Sequence, residues 1–183
     1  GLVVDGVNYV SSCPTRHGDY SYCDVLPFPS YSTAKSAEAA LALMAVEYKH
    51  PGAEKLAVQD FAQAPACKSP DWAGVTLRNL IDMTTGHYDS TAYMADEDAP
   101  QVQGFFSATT EQEKVVFGCG AYPRDAAPGT TWVYHTSDTF LLGDALNRYL
   151  RSQPGKQGAD IFRDVVDAEI YKPLRLSATA QAT

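Results

Sequence analysis

Ser32-Thr33-Ala34-Lys35 sets a hydroxyl and an amine three residues apart at the start of a run rich in helix formers. Three residues is close to one helical turn, so the two side chains share a face and can meet. A serine hydroxyl is a poor nucleophile until a neighbour takes its proton, and a lysine does so only where burial or nearby positive charge favours its neutral form. The residues that follow, Ala34, Ala37, Ala39, Ala40, Leu41, Leu43, Met44, Ala45 and Val46, are apolar on nearly every face and predict a buried helix that stops near Pro51-Gly52. Its start also offers backbone N–H groups and a dipole to an oxyanion developing beside Ser32. The bland alternative is an N-cap serine followed by a snorkelling surface lysine. A chance Ser-x-x-Lys arises about once in every two chains of this length, so the surroundings weigh more than the spacing.

A second group of chemistry-bearing residues lies in Pro128-Gly129-Thr130-Thr131-Trp132-Val133-Tyr134-His135-Thr136-Ser137-Asp138-Thr139-Phe140-Leu141-Leu142-Gly143. A turn leads into an aromatic segment and then a helix, which puts Tyr134 in a loop held by packed neighbours. His135, beside Tyr134, is a candidate to tune it or to bind substrate, although sequence neighbours often point apart. His17 and His50 fall in a cysteine-bounded loop and at a helix end, and read as structural or solvated.

The elements that must position these groups follow from local patterning. Leu2-Val3-Val4 and Val7 to Val10 are short apolar runs broken by turn residues, a strand or two before a long loop ended by Pro27 and Pro29. Further helices are predicted where Thr76 caps Leu77-Leu80-Ile81, at the capping box Thr110 to Glu113, over Phe140 to Leu150 and over Ile161 to Ile170. The chain thus reads as the mostly helical part of an α+β protein with N-terminal strands: 1–31 strands and loop, 32–183 helical region.

At 183 residues, 45% of them hydrophobic, the chain can bury one sizeable core. Its net charge of −8, with no run of lysines and arginines, argues against nucleic acid or anionic membranes as partners. No stretch approaches the ~18 continuous apolar residues of a membrane span. Cys13, Cys23, Cys67 and Cys119 form no Cys-x-x-Cys, and Cys13, His17 and Cys23 lack a fourth ligand, which argues against a zinc site. Disulfides fit better. Cys13–Cys23 closes a short loop and leaves Cys67–Cys119, a pairing that places the protein in the periplasm or outside the cell. Four buried thiols are the alternative.

Ser32 to Lys35, Val75-Thr76-Leu77-Arg78-Asn79-Leu80-Ile81-Asp82-Met83-Thr84-Thr85-Gly86 and the Pro128 to Gly143 run resemble, in that order, the signature segments of the β-lactamase-related serine hydrolases. Class C β-lactamases, D-alanyl-D-alanine peptidases, certain carboxylesterases and nylon-oligomer hydrolases belong to that family. Ile170 to Ser177 is similar to its Pro-Leu-Gly-Leu segment, so the likeness runs over about 29–176. The resemblance implies a β-lactamase/transpeptidase-like fold in which Ser32 is acylated, Lys35 takes its proton and Tyr134 relays protons to the leaving group, with no metal and no cofactor. It also implies that His87 and Tyr88 follow Gly86 in a loop bordering the pocket, as substrate-lining residues or as plain surface.

Two departures shape the expected function. Tyr134-His135-Thr136 stands where the family has Tyr-x-Asn, so Thr136 presents a hydroxyl to substrate in place of an amide. The family's later strand bearing Lys-Thr-Gly or His-x-Gly has no counterpart before Thr183, so a second fragment or the C-terminal part of the same protein is expected as partner. The resulting expectation is a serine hydrolase forming an acyl-enzyme on a small-molecule ester or amide substrate, as a carboxylesterase or amidase does. A β-lactamase, a D-Ala-D-Ala peptidase and a non-catalytic penicillin-binding-like sensor are the alternatives.

Overall fold

The computed structural model describes residues 2–9, 11–23, 26 and 29–176. Val10, Pro27 and Ser177, named above at element ends, lie outside the described residues. The chain divides into two compact units, one containing the residues up to Ser30 and the other Tyr31–Leu176.

In the first unit β1 (Leu2–Val4) pairs antiparallel with β2 (Val7–Tyr9), in the register Leu2 to Tyr9 and Val4 to Val7. The two linking residues, Asp5 at φ 50° and Gly6 at φ 77°, both take the left-handed backbone that a two-residue hairpin turn requires. A smaller pair, β3 (Pro14–Thr15) and β4 (Gly18–Asp19), is closed by the Cys13–Cys23 disulfide.

The second unit is helical. A wide π-type segment, Lys35–Ala40, runs into α1 (Leu41–Lys49), and His50, Pro51 and the positive φ of Gly52 end it. Next come α2 (Val58–Phe61), α3 (Leu77–Ile81), α4 (Gln103–Ser107), α5 (Glu111–Gly120) and α6 (Thr136–Ser152), and a second π-type segment spans Phe162–Tyr171. Both expected caps are present: Thr76 and Thr110 accept the backbone N–H of Asn79 and Glu113, whose side chains reach back to the cap N–H. The core gathers Val46, Val58, Trp72, Leu77, Leu80, Val115 and Val166 around the inner face of α6, where Leu141, Leu142 and Leu146 are buried. The second disulfide, Cys67–Cys119, crosses this core and ties the turn Pro65–Lys68 to α5.

Two expectations are corrected. The helix after Ser32 is not buried all round: Ala42, Leu43 and Val46 face the core, whereas Met44 is 66% and Tyr48 87% exposed. Its small alanines made every face read as apolar, and only packing distinguishes the covered face from the open one. The helix expected over Phe140 to Leu150 begins four residues earlier, at Thr136, for a reason that lies in the site.

Candidate active site

Tyr31, at φ 46°, turns the chain sharply into the helix start and leaves Ser32 exposed at its mouth. The first turn is tight: the N–H groups of Ala34 and Lys35 bond the carbonyls of Tyr31 and Ser32, both at 3.1 Å. An i to i+3 turn nearly eclipses the two side chains, and Lys35 Nζ lies 3.1 Å from Ser32 Oγ. The Tyr134 hydroxyl lies 2.5 Å from the same oxygen, and Lys35 Nζ is 5.0 Å from the Tyr134 ring centroid. Residues about a hundred positions apart thus converge on one serine oxygen.

Tyr134 is held from both sides. Two loops zip together through Val133 N–H to Met83 O (3.0 Å), Gly129 N–H to Thr84 O (2.7 Å), Asp125 N–H to Gly86 O (2.9 Å) and Tyr88 N–H to Pro123 O (3.1 Å). Val133 and His135 are buried, and the extended backbone at His135 (φ −134°, ψ 123°) alternates side chains, so Tyr134 emerges on the opposite side from its neighbours. The Val75 to Gly86 segment therefore acts as a scaffold for the tyrosine loop.

His135 is placed away from Ser32. Its ring stacks on Tyr122 at 4.3 Å, and Nε2 lies 3.0 Å from Asp96 Oδ2, a carboxylate that also accepts the N–H groups of Asp89 and Ser90. Burial pushes the His135 imidazole below its ordinary range, against the opposing pull of Asp96. Burial likewise raises the Asp138 carboxyl well above the usual carboxylate range, with Glu97 adding to the effect. His87 is buried and stacked on Trp72 at 4.3 Å, and Tyr88 is buried beside it in sequence. The structure thus sets His135, His87 and Tyr88 in the core, where the loop zipper carries them, and not on the Ser32 surface expected for substrate-lining residues.

Thr136 does join the group, in a position different from the one expected. Its hydroxyl lies 3.0 Å from Lys35 Nζ and also bonds Glu97 Oε1, so both of its directions are taken within the protein. Glu97 Oε2 accepts the Thr136 backbone N–H at 2.9 Å. That bond caps α6 from a distant loop, and His135, at the N-cap position, makes no side-chain cap. His135 is not an N-cap type, and the cap-type residues Thr136 to Thr139 before Phe140 point to a later start, which is why Glu97 and the early start of α6 were not legible in the sequence. Asp96 to His135 and Glu97 to Thr136 form two adjacent latches between the same pair of segments.

A model of the beta-lactamase family matches residues 26–181. Among solved structures, the chain is similar to the crystal structure of a D-stereospecific amidohydrolase from Streptomyces sp., with a TM-score of 0.54 and 20% identity over 81% of this chain and 42% of that one. The chain therefore spans about two fifths of the length of that relative. No curated protein matches it significantly. The fold is β-lactamase/transpeptidase-like, represented among the described residues by its helices and short N-terminal strands. With the family's model covering most of its length, the chain belongs to the beta-lactamase family.

Proposed function

We propose that the protein is a serine hydrolase that forms an acyl-enzyme on an ester or amide substrate. The supporting observation is the convergence of Lys35 Nζ and the Tyr134 hydroxyl on Ser32 Oγ, at 3.1 and 2.5 Å. A base within reach of a serine hydroxyl, and a second proton-carrying group on the same oxygen, are the parts that acyl transfer needs. In this reading Lys35 takes the Ser32 proton as Oγ attacks the carbonyl carbon, and Tyr134 gives its proton to the departing alcohol or amine and regains one from Lys35, so that the serine's proton leaves with that group. Water then releases the acyl group.

The amidohydrolase likeness is in keeping with an amide substrate, and Thr136, whose hydroxyl is spent on Lys35 and Glu97 and offers substrate no amide, favours an ester or open-chain amide over a β-lactam. Two disulfides favour a periplasmic or secreted protein, since such bonds persist in oxidising compartments.

The test is labelling by a fluorophosphonate probe together with turnover of a chromogenic ester. Ser32→Ala is expected to abolish labelling and to lower kcat by at least ~10³. Undiminished turnover in that variant would remove Ser32 as the nucleophile, and labelling without turnover in the parent would favour a sensor over an enzyme.

A further inference from the structure

Resting on the reading of Lys35 as base, we propose that Glu97 is a positioning residue that fixes the direction of the Thr136 hydroxyl and so keeps the Lys35 lone pair free for Ser32. The hydroxyl has two close contacts, Lys35 Nζ at 3.0 Å and Glu97 Oε1. A carboxylate only accepts, so the hydroxyl gives its single proton to Glu97 and turns a lone pair toward Lys35. Lys35 meets that lone pair with an N–H.

A neutral lysine amine has two N–H bonds and one lone pair. With one N–H held on Thr136, the lone pair can point at Ser32 Oγ, 3.1 Å away. Proton transfer then breaks the Ser32 O–H bond and forms an N–H bond, and the freed electron pair on Oγ makes the bond to the acyl carbon. With the hydroxyl reversed, its proton would occupy the lysine's only lone pair and no acceptor would remain for Ser32. Glu97 is well placed to enforce the direction, because its other oxygen is held by the Thr136 backbone N–H and the preceding residue, Asp96, is latched to His135.

Glu97→Gln tests this almost without change of shape. The Thr136 backbone N–H can only donate, so it keeps the amide oxygen, and the amide nitrogen is left facing the hydroxyl. That nitrogen donates, and the hydroxyl proton swings to Lys35. In the full-length protein, E97Q is expected to slow fluorophosphonate labelling of Ser32 about 10²-fold while its thermal midpoint stays close to the parent's. Adding Thr136→Val removes the misdirected proton, so the double variant should label about 10-fold faster than E97Q. A rescue of that kind does not follow from a merely structural role, which predicts a double variant slower than either single one. Labelling of E97Q at the parental rate, or a double variant no faster than E97Q, would overturn the role of Glu97. Failure of the parent to label at Ser32 would instead overturn the nucleophile, and this inference with it.

Discussion

His87 stacks face to face on Trp72, with ring planes 14° apart, and neither of its ring nitrogens finds a hydrogen-bond partner of good geometry among the described residues. Burial, with Arg124 nearby, holds the imidazole down to about 4. The unfolded chain takes up a proton near the ordinary 6.5, so between those values it binds more protons than the folded one. The contribution of a neutral His87 is complete above pH ~6.5 and is lost as pH falls toward ~4. His87→Phe keeps an aromatic face on Trp72 and removes the titration. We expect the variant's melting temperature to fall less than the parent's between pH 7 and pH 4, and an identical pH dependence would place the acid-sensitive group elsewhere. His135 is also held low by burial, but Asp96 opposes the shift, so His87 is the better place to look.

The loop zipper that carries Tyr134 turns on Gly86. Its φ is +85°, and a Cβ there would collide with the carbonyl of Ala126, whose N–H bonds the Gly86 carbonyl at 3.1 Å. Left-handed backbone and a blocked Cβ position act together, and the blocking atoms are backbone that cannot swing aside. Gly86→Ala is expected to cost about 2–4 kcal/mol in denaturant unfolding. It should also slow acylation, since the strand of hydrogen bonds that places Val133, and with it Tyr134, begins at this crossing. A variant as stable as the parent would show that the two loops can part without loss. At the other end of the same element, the N-terminus of α6 owes its start to Glu97, so one acidic side chain both caps a helix and holds the hydroxyl beside the lysine.

At the scale of the whole helical unit, Cys67–Cys119 links residues 52 positions apart through a buried site, where Trp72 Nε1 also bonds the Cys119 carbonyl at 2.9 Å. In the chain-entropy account a loop of that length is worth about 4 kcal/mol, against about 3 kcal/mol for the 10-residue separation of Cys13 and Cys23. Replacing Cys67 and Cys119 together by alanine should lower the unfolding free energy of the helical unit by about 2–4 kcal/mol in urea, followed by intrinsic fluorescence. Replacing Cys13 and Cys23 instead opens a shorter loop, which lies within the other unit. A loss below about 1 kcal/mol from the first pair would show that hydrophobic packing around α6 suffices.

The sequence by itself determined what depends on neighbours in the chain. The Ser-x-x-Lys spacing set Lys35 over Ser32, the capping boxes at Thr76 and Thr110 started α3 and α5, and the apolar runs at Leu2 and Val7 became paired strands. The Cys13–Cys23 pair closes a short loop and is local in the same sense, whereas Cys67–Cys119, 52 positions apart, was legible only because no other partner remained. Tertiary structure decided what depends on which side chains face one another across the fold. The extended step at His135 sent that ring into the core while Tyr134 went to Ser32, the loop zipper buried His87 and Tyr88, and packing left Met44 and Tyr48 open on a helix that had read as apolar all round. Glu97 is the clearest instance. Nothing near it in sequence marks it, because its partner is 39 residues away and its effect is to supply, through space, the helix cap and the hydrogen-bond direction that the residues around Thr136 do not supply for themselves.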